Sequence, residues 1–223
     1  LSRPFWVPVG VEAQPSQSFR DLLQPKIIQL LLIALLNTLP VAVTSTLFLF
    51  FVEDRLGLSG FAGLFLFLFF LTAGVSAPGW SRVSAQFGAR QVLSFAMSFA
   101  VVSFVGACLL PFEAAWRFGI MCAVSGAALG ADMVILPALF ANALVTQGVA
   151  TGIGFGVWAF ATKISLALAA AIVLPALQYA GFSPSGLNTA DALQSLNYLY
   201  ALLPCALKLL ALVLIWRLPQ AAA

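Results

Sequence analysis

An amine deep in an apolar segment is the first side chain in this sequence that could do chemistry. Lys163 stands near the middle of Gly152–Tyr179, GIGFGVWAFATKISLALAAAIVLPALQY, a stretch long and apolar enough to cross a bilayer. A lysine in hydrocarbon costs on the order of 3 kcal/mol on insertion scales, so an intramembrane charge marks a binding or conduction site by default. At about 100° per residue, Gly152, Gly156, Ala159, Ala167 and Ala170 fall within roughly 40° of Lys163 on the helix surface. A stripe of small side chains lets another helix or a solvated cavity come close, so the amine is expected to face protein or water rather than lipid. Its acidic counterpart is Asp132 in SGAALGADMVILP, which shares a face with Ser125, Ala128 and Leu136. Counted from the loop between them, Asp132 lies roughly 12–15 Å up one helix and Lys163 roughly 15–18 Å up the next, at about 1.5 Å per residue. The depths are comparable, which allows an ion pair or a water-linked pair, although a helical wheel does not show whether the two faces meet. Asn37 and Thr44 share a face of an earlier segment and could line a cavity or bond across helices. A second intramembrane lysine, Lys208, lies roughly 13 Å from Arg217 along its helix and reads as snorkelling along the bundle edge or pairing locally.

The elements that position these groups follow from composition. Of 223 residues, 62% are hydrophobic and 8% charged. Soluble domains carry about 25% charged residues, so the class is an all-α integral membrane protein. Histidine is absent, which removes imidazole base catalysis, the HExxH zinc site and histidine proton relays. Cys108, Cys122 and Cys205 follow no metal or disulfide spacing and read as small core residues. No metal, cofactor or enzymatic acid/base pair is expected, and the net charge of +3 needs no nucleic-acid partner.

Six spans are expected, at about 27–51, 61–80, 91–110, 116–140, 152–179 and 193–216. Pro40 should kink the first near its middle. Glu53-Asp54-Arg55 reads as a charged loop, Pro78-Gly79 as the end of the second span, and Ser81–Arg90 as a basic loop. The phenylalanines of GLFLFLFFLTAG surround their helix on most sides, a lipid-facing or packing surface rather than an aromatic binding box. Residues 1–25, rich in Pro, Gln and Ser with no apolar h-region, read as a cytoplasmic linker ahead of the bundle at 26–223. A start at Leu1 inside such a linker suggests a fragment or a processed half. Arg3, Arg20, Lys26, Arg82, Arg90 and Arg217 fall on one side, Arg55 and Arg117 on the other. The positive-inside rule then puts both termini in the cytoplasm, with a bacterial inner membrane as the expected location.

LFLFFVEDRLG after the first span, the Gly-Ala-Arg end of the basic stretch, GADMVILPALFANALV, and WAFATK…ALAAAIVLP together resemble the C-terminal half of glycoside–pentoside–hexuronide:cation symporters, the melibiose-permease-like branch of the major facilitator superfamily. The resemblance runs from about Phe19 to Pro219. It implies a twelve-helix symporter made of two six-helix halves, each a 3+3 inverted repeat, with substrate held between the halves. This chain would supply the second half, lacking the first half that carries the family's main cation-site carboxylates. Lys163 matches the lysine of the family's eleventh helix and Asp132 the acid of the Gly-Ala-Asp motif in the tenth. The charged stretches that the family carries between those helices read Asn142-Ala143-Leu144 and Thr151-Gly152-Ile153 here, without charge.

The expected function is therefore one half of a secondary transporter coupled to sodium or protons. It would move a sugar or related small polar solute by alternating access, with Lys163, Asp132, Asn37 and Thr44 along the pathway. The alternatives are a truncated or non-transporting membrane module, which the uncharged loop favours, and a relative that moves amphipathic lipids.

Overall fold

The computed structural model describes residues 23–184 and 186–217, and all of the described regular structure is helical. The linker expected at 1–25 lies almost wholly outside the described residues, as do Arg3 and Arg20. Six helices are long and apolar enough to span a membrane. They are α1 (Pro25–Arg55), α2 (Ala62–Phe87), α3 (Ala89–Cys108), α4 (Ala115–Thr146), α5 (Thr151–Tyr179) and α6 (Ala190–Trp216). The shortest, α3, has 20 residues, about 30 Å at 1.5 Å per residue, which matches the hydrocarbon thickness.

Three boundaries differ from the sequence expectation. Glu53-Asp54-Arg55 is not a loop: Phe51–Arg55 continues α1 as one π-helical turn. Pro78-Gly79 does not end α2, which runs on to Phe87, so most of the expected basic loop is helix and the reversal falls at Gly88, at φ 89°. Pro78 removes one backbone bond, but contacts to α4 hold the next turn in place. Trp80 Nε1 donates to the Ala127 carbonyl at 2.7 Å, and the Ser76 hydroxyl is shared between that carbonyl at 3.2 Å and Ala73 of its own helix at 3.1 Å. Finally, α4 passes Phe140 and ends at Thr146, with Pro137 inside it. Five of the six helices carry an interior proline, at Pro40, Pro78, Pro137, Pro175 and Pro204.

The packing repeats itself. Between the first three helices and the last three, α2 lies against α4 as α1 lies against α5; α3 packs on α4 as α1 packs on α6, and α3 also meets α6. Exchanging α1 with α4, α2 with α5 and α3 with α6 leaves this scheme unchanged. An odd number of crossings separates each pair, so the two triplets run in opposite directions, which is an inverted repeat. Close approach of α2 and α4 depends on Gly126 and Gly130. A Cβ on either would run into the backbone carbonyl of Phe69 or Ala73. Both ends of α6 are tied to α3. Asn197 Nδ2 donates to the Cys108 carbonyl at 3.0 Å, and Arg90 donates to the Trp216 carbonyl with its guanidinium 5.1 Å from that indole.

The interior divides into two apolar clusters. One gathers Leu47, Phe51, Val52 and Leu56 with Phe118, Val173, Leu196 and Ala201. The other gathers Ile27, Leu30 and Ile33 with Leu93, Met97, Ile135, Phe140, Leu144 and Ile215. On α1, α4 and α6 the chain passes from one cluster to the other through a polar position: Asn37, Asp132 and Lys208. Exposure is uneven. Only 17% of the membrane-crossing window of α2 and of α5 is buried within the chain, against 39–44% for the other four helices.

Candidate functional site

Lys208 is not a snorkelling lysine. Its side chain is 2% exposed and turned inward, where the ammonium donates to Asp132 Oδ2 at 2.5 Å and to Asn37 Oδ1. The ion pair joins α4 to α6 and the amide bond adds α1, so one buried cation links three helices. Each partner alone would be expensive at this depth: removing one member of a buried pair costs about 3–5 kcal/mol. Together they form a neutral layer, closed above and below by the two apolar clusters.

The pairing of Asp132 with Lys163 that the sequence left open does not form. Asp132 is buried at 7% exposure and its charge partner is Lys208, whereas Lys163 is exposed on α5. The reason is rotational. The buried face of α5, Gly154, Ser165, Ala169, Val173 and Leu177, packs mainly on α1, and Lys163 lies off it. Gly152, Gly156, Ala159 and Ala167, the small residues that flank Lys163 on the wheel, are exposed with it. The stripe expected to receive another helix or a cavity therefore exists, but no helix among the described residues covers it.

Asn37 and Thr44 meet different ends. Asn37 is buried in the charged layer. Thr44 lines a cavity that also reaches Asp132 and Lys208, but its hydroxyl hydrogen lies between two carbonyls of its own helix, Pro40 at 3.0 Å and Val41 at 3.1 Å. That leaves Thr44 an acceptor toward the cavity. The cavity has a volume of about 50 Å³ and is lined both by buried Asp132 and Lys208 and by exposed Ser45, Leu66 and Phe70. Phe69 and Phe70 belong to the phenylalanine run expected to be only a lipid or packing surface; here they also form a wall.

Such a volume holds a few waters and falls well short of the roughly 300 Å³ a small-molecule pocket needs. A larger groove of about 610 Å³ between the ends of α2 and α3 is lined by Trp80, Val83, Phe87, Gln91, Val92 and Phe95. With Trp80 committed to Ala127, Gln91 is the polar group left in that lining, too little for a polyhydroxylated solute. No described residues form a cluster of three or more His, Cys, Asp or Glu side chains that could hold a metal.

Residues 16–220 match the family model described as MFS/sugar transport protein. The chain belongs to that family. The fold agrees with a solved member of the major facilitator superfamily, the proton:xylose symporter XylE bound to 6-bromo-6-deoxy-D-glucose, at TM-score 0.66 and 15% sequence identity. The alignment covers 87% of this chain and 45% of that one, so the chain spans less than half the length of the symporter. Among curated proteins, none matches the sequence. Membership agrees with the sugar-transport family suggested by the sequence motifs, and the all-helical, six-span architecture is the fold expected of it.

The residue that the sequence reading left off the pathway is Lys208. Its signal was present: an amine eight positions before Trp216 in an otherwise apolar span, at a depth like that of Asp132.

Proposed function

We propose that this chain is the C-terminal six-helix half of a cation-coupled secondary transporter for a sugar or related small polar solute. It would work by alternating access in a bacterial inner membrane with both termini cytoplasmic. The observation that carries the reading is the bare face of α5: Lys163 and its small-residue stripe lie exposed beside the least buried helices of a family member. A second six-helix bundle laid against α2 and α5 would cover these surfaces and enclose a cavity large enough for a solute. Lys163 would then donate hydrogen bonds to solute hydroxyls from one wall, while Asn37, Asp132 and Lys208 link α1, α4 and α6 behind it. The 45% coverage of XylE, a proton:xylose symporter, supports a half-molecule and a sugar.

An amphipathic lipid is a second reading. Val41, Phe48, Leu66, Phe69, Phe70 and Phe104 make the cavity wall apolar right up to the charged layer. The test is a counterflow screen of labelled sugars in proteoliposomes holding both halves, with sodium and proton gradients imposed in turn and a lysophospholipid as competitor. Sugar exchange that the lipid leaves untouched supports the first reading. Exchange of lipid alone supports the second, and no exchange of either removes both.

A further inference from the structure

We infer that Asp132 is a proton-binding site, and that the Lys208 ammonium is a tethered cation that keeps sodium out of it. The consequence for coupling rests on the transporter reading above; the site itself rests on geometry alone. Asp132 is 7% exposed and lines the cavity. Its Oδ2 holds Lys208, while its Oδ1 has no hydrogen-bond partner among the described residues. A buried carboxylate oxygen without a protein partner is satisfied by water or by a proton.

A sodium ion at this place would need several oxygens, and the two that converge here, Asp132 Oδ2 and Asn37 Oδ1, already bind the ammonium. The remaining cavity groups do not rebuild such a shell. The hydroxyls of Thr44, Ser45 and Ser125 offer neutral oxygens only, and none replaces the carboxylate oxygen that the ammonium holds. From α2 and α3 the cavity receives Leu66, Phe69, Phe70, Ala100 and Phe104, none of which titrates. From α1 come Val41, Thr44, Ser45 and Phe48, also without charge. Besides Asp132 and Lys208, the titratable groups are Cys122 on α4 and Tyr200 on α6, a thiol and a phenol that are neutral through the physiological range. α5 contributes no lining residue.

The proton step is simple. A hydronium reaching the cavity transfers its proton to Asp132 Oδ1 and leaves water, so the carboxylate becomes a neutral acid. The Lys208 ammonium then loses its counter-charge and keeps a neutral amide as its partner, a cost that favours moving α6 so that the amine meets water. When the layer closes again, the ammonium returns, Asp132 gives its proton to cavity water, and the pair re-forms. One proton is bound per opening of the layer and one released per closing.

The test is infrared titration of the membrane-embedded protein, joined to uptake by the protein carrying both halves. Acidification should raise a protonated-carboxyl stretch that is missing in Asp132→Asn. In Lys208→Gln, the same band should be present already in neutral buffer. Added sodium should not change it. In liposomes, uptake that an imposed pH gradient makes uphill should become indifferent to that gradient in Asp132→Asn and in Asp132→Asn/Lys208→Gln, the double variant serving where the single one does not fold. No Asp132-dependent band, a band that sodium erases, or gradient-driven uptake that persists without Asp132 would each overturn the site. If no solute is carried by the wild type, the transporter reading fails, and the infrared arm still decides the proton site.

Discussion

Lys208 Nζ and Asp132 Oδ2 lie 2.5 Å apart across a separation of 76 residues, buried between α6 and α4 where a small cavity reaches them. The pair, with Asn37 as a third member, turns a core that would otherwise be one apolar column into two clusters separated by a charged layer. Such a layer contributes less stability than an apolar one of the same shape, yet it is strongly intolerant of losing one member.

The first prediction follows from that asymmetry. Lys208→Met leaves a carboxylate and an amide oxygen buried without a donor and should cost about 3–5 kcal/mol. Adding Asp132→Leu should recover most of the loss, because two apolar side chains of similar size suit the interior. Thermal unfolding in detergent, read as a double-mutant cycle, measures the coupling. Strictly additive losses would show that the two side chains do not interact.

A second prediction separates two kinds of glycine. Gly126→Ala would push a methyl into the Phe69 carbonyl and the Thr72 hydroxyl, so the α2–α4 contact must open. Overpacking of this kind costs about 1–3 kcal/mol or more. Gly74→Ala lies on α2 with open space around the added methyl, and replacing an interior helix glycine there should be neutral or stabilising by up to about 1 kcal/mol. Equal melting temperatures for the two variants would contradict the packing described.

Six spans and their order were legible because bilayer thickness and hydropathy constrain length strongly. The charged layer was not. A helical wheel ranks the faces of one helix, and on α5 it correctly grouped Lys163 with the small residues, but it says nothing about which neighbour those residues meet. Asp132 and Lys163 shared a depth, and so did Lys208, whose nearness to Trp216-Arg217 made snorkelling the natural reading. Pro78-Gly79 misled for a related reason. Proline weakens a helix locally, and the hydrogen bonds from Ser76 and Trp80 to Ala127 that brace it span 47 or more positions in sequence, out of sight of any local rule.

Lys163 supplies a third prediction, with stability and function pulling apart. The side chain is exposed, and no hydrogen bond or ion pair joins it to another described residue, so Lys163→Ala should leave membrane insertion and melting of this chain unchanged within about 0.5 kcal/mol. In the protein carrying both halves, where the α5 stripe would face the second bundle, the same change should abolish or uncouple solute uptake. Wild-type uptake by that variant would remove Lys163 from the pathway.

Topology gives the last prediction. The described helices carry Lys26, Arg82, Arg90 and Arg217 to one end of the bundle and Arg55 and Arg117 to the other. Excess positive charge stays in the cytoplasm during insertion, because moving it across the membrane opposes the potential. Gln147 follows the C-terminal end of α4, on the basic side, and Ser183 lies between α5 and α6 on the opposite side; both are exposed. In a background with Cys108, Cys122 and Cys205 replaced by serine or alanine, Gln147→Cys should react with a membrane-impermeant maleimide only after the cells are opened. Ser183→Cys should react in intact spheroplasts. The reverse pattern would invert the bundle in the membrane and overturn the cytoplasmic placement of both termini.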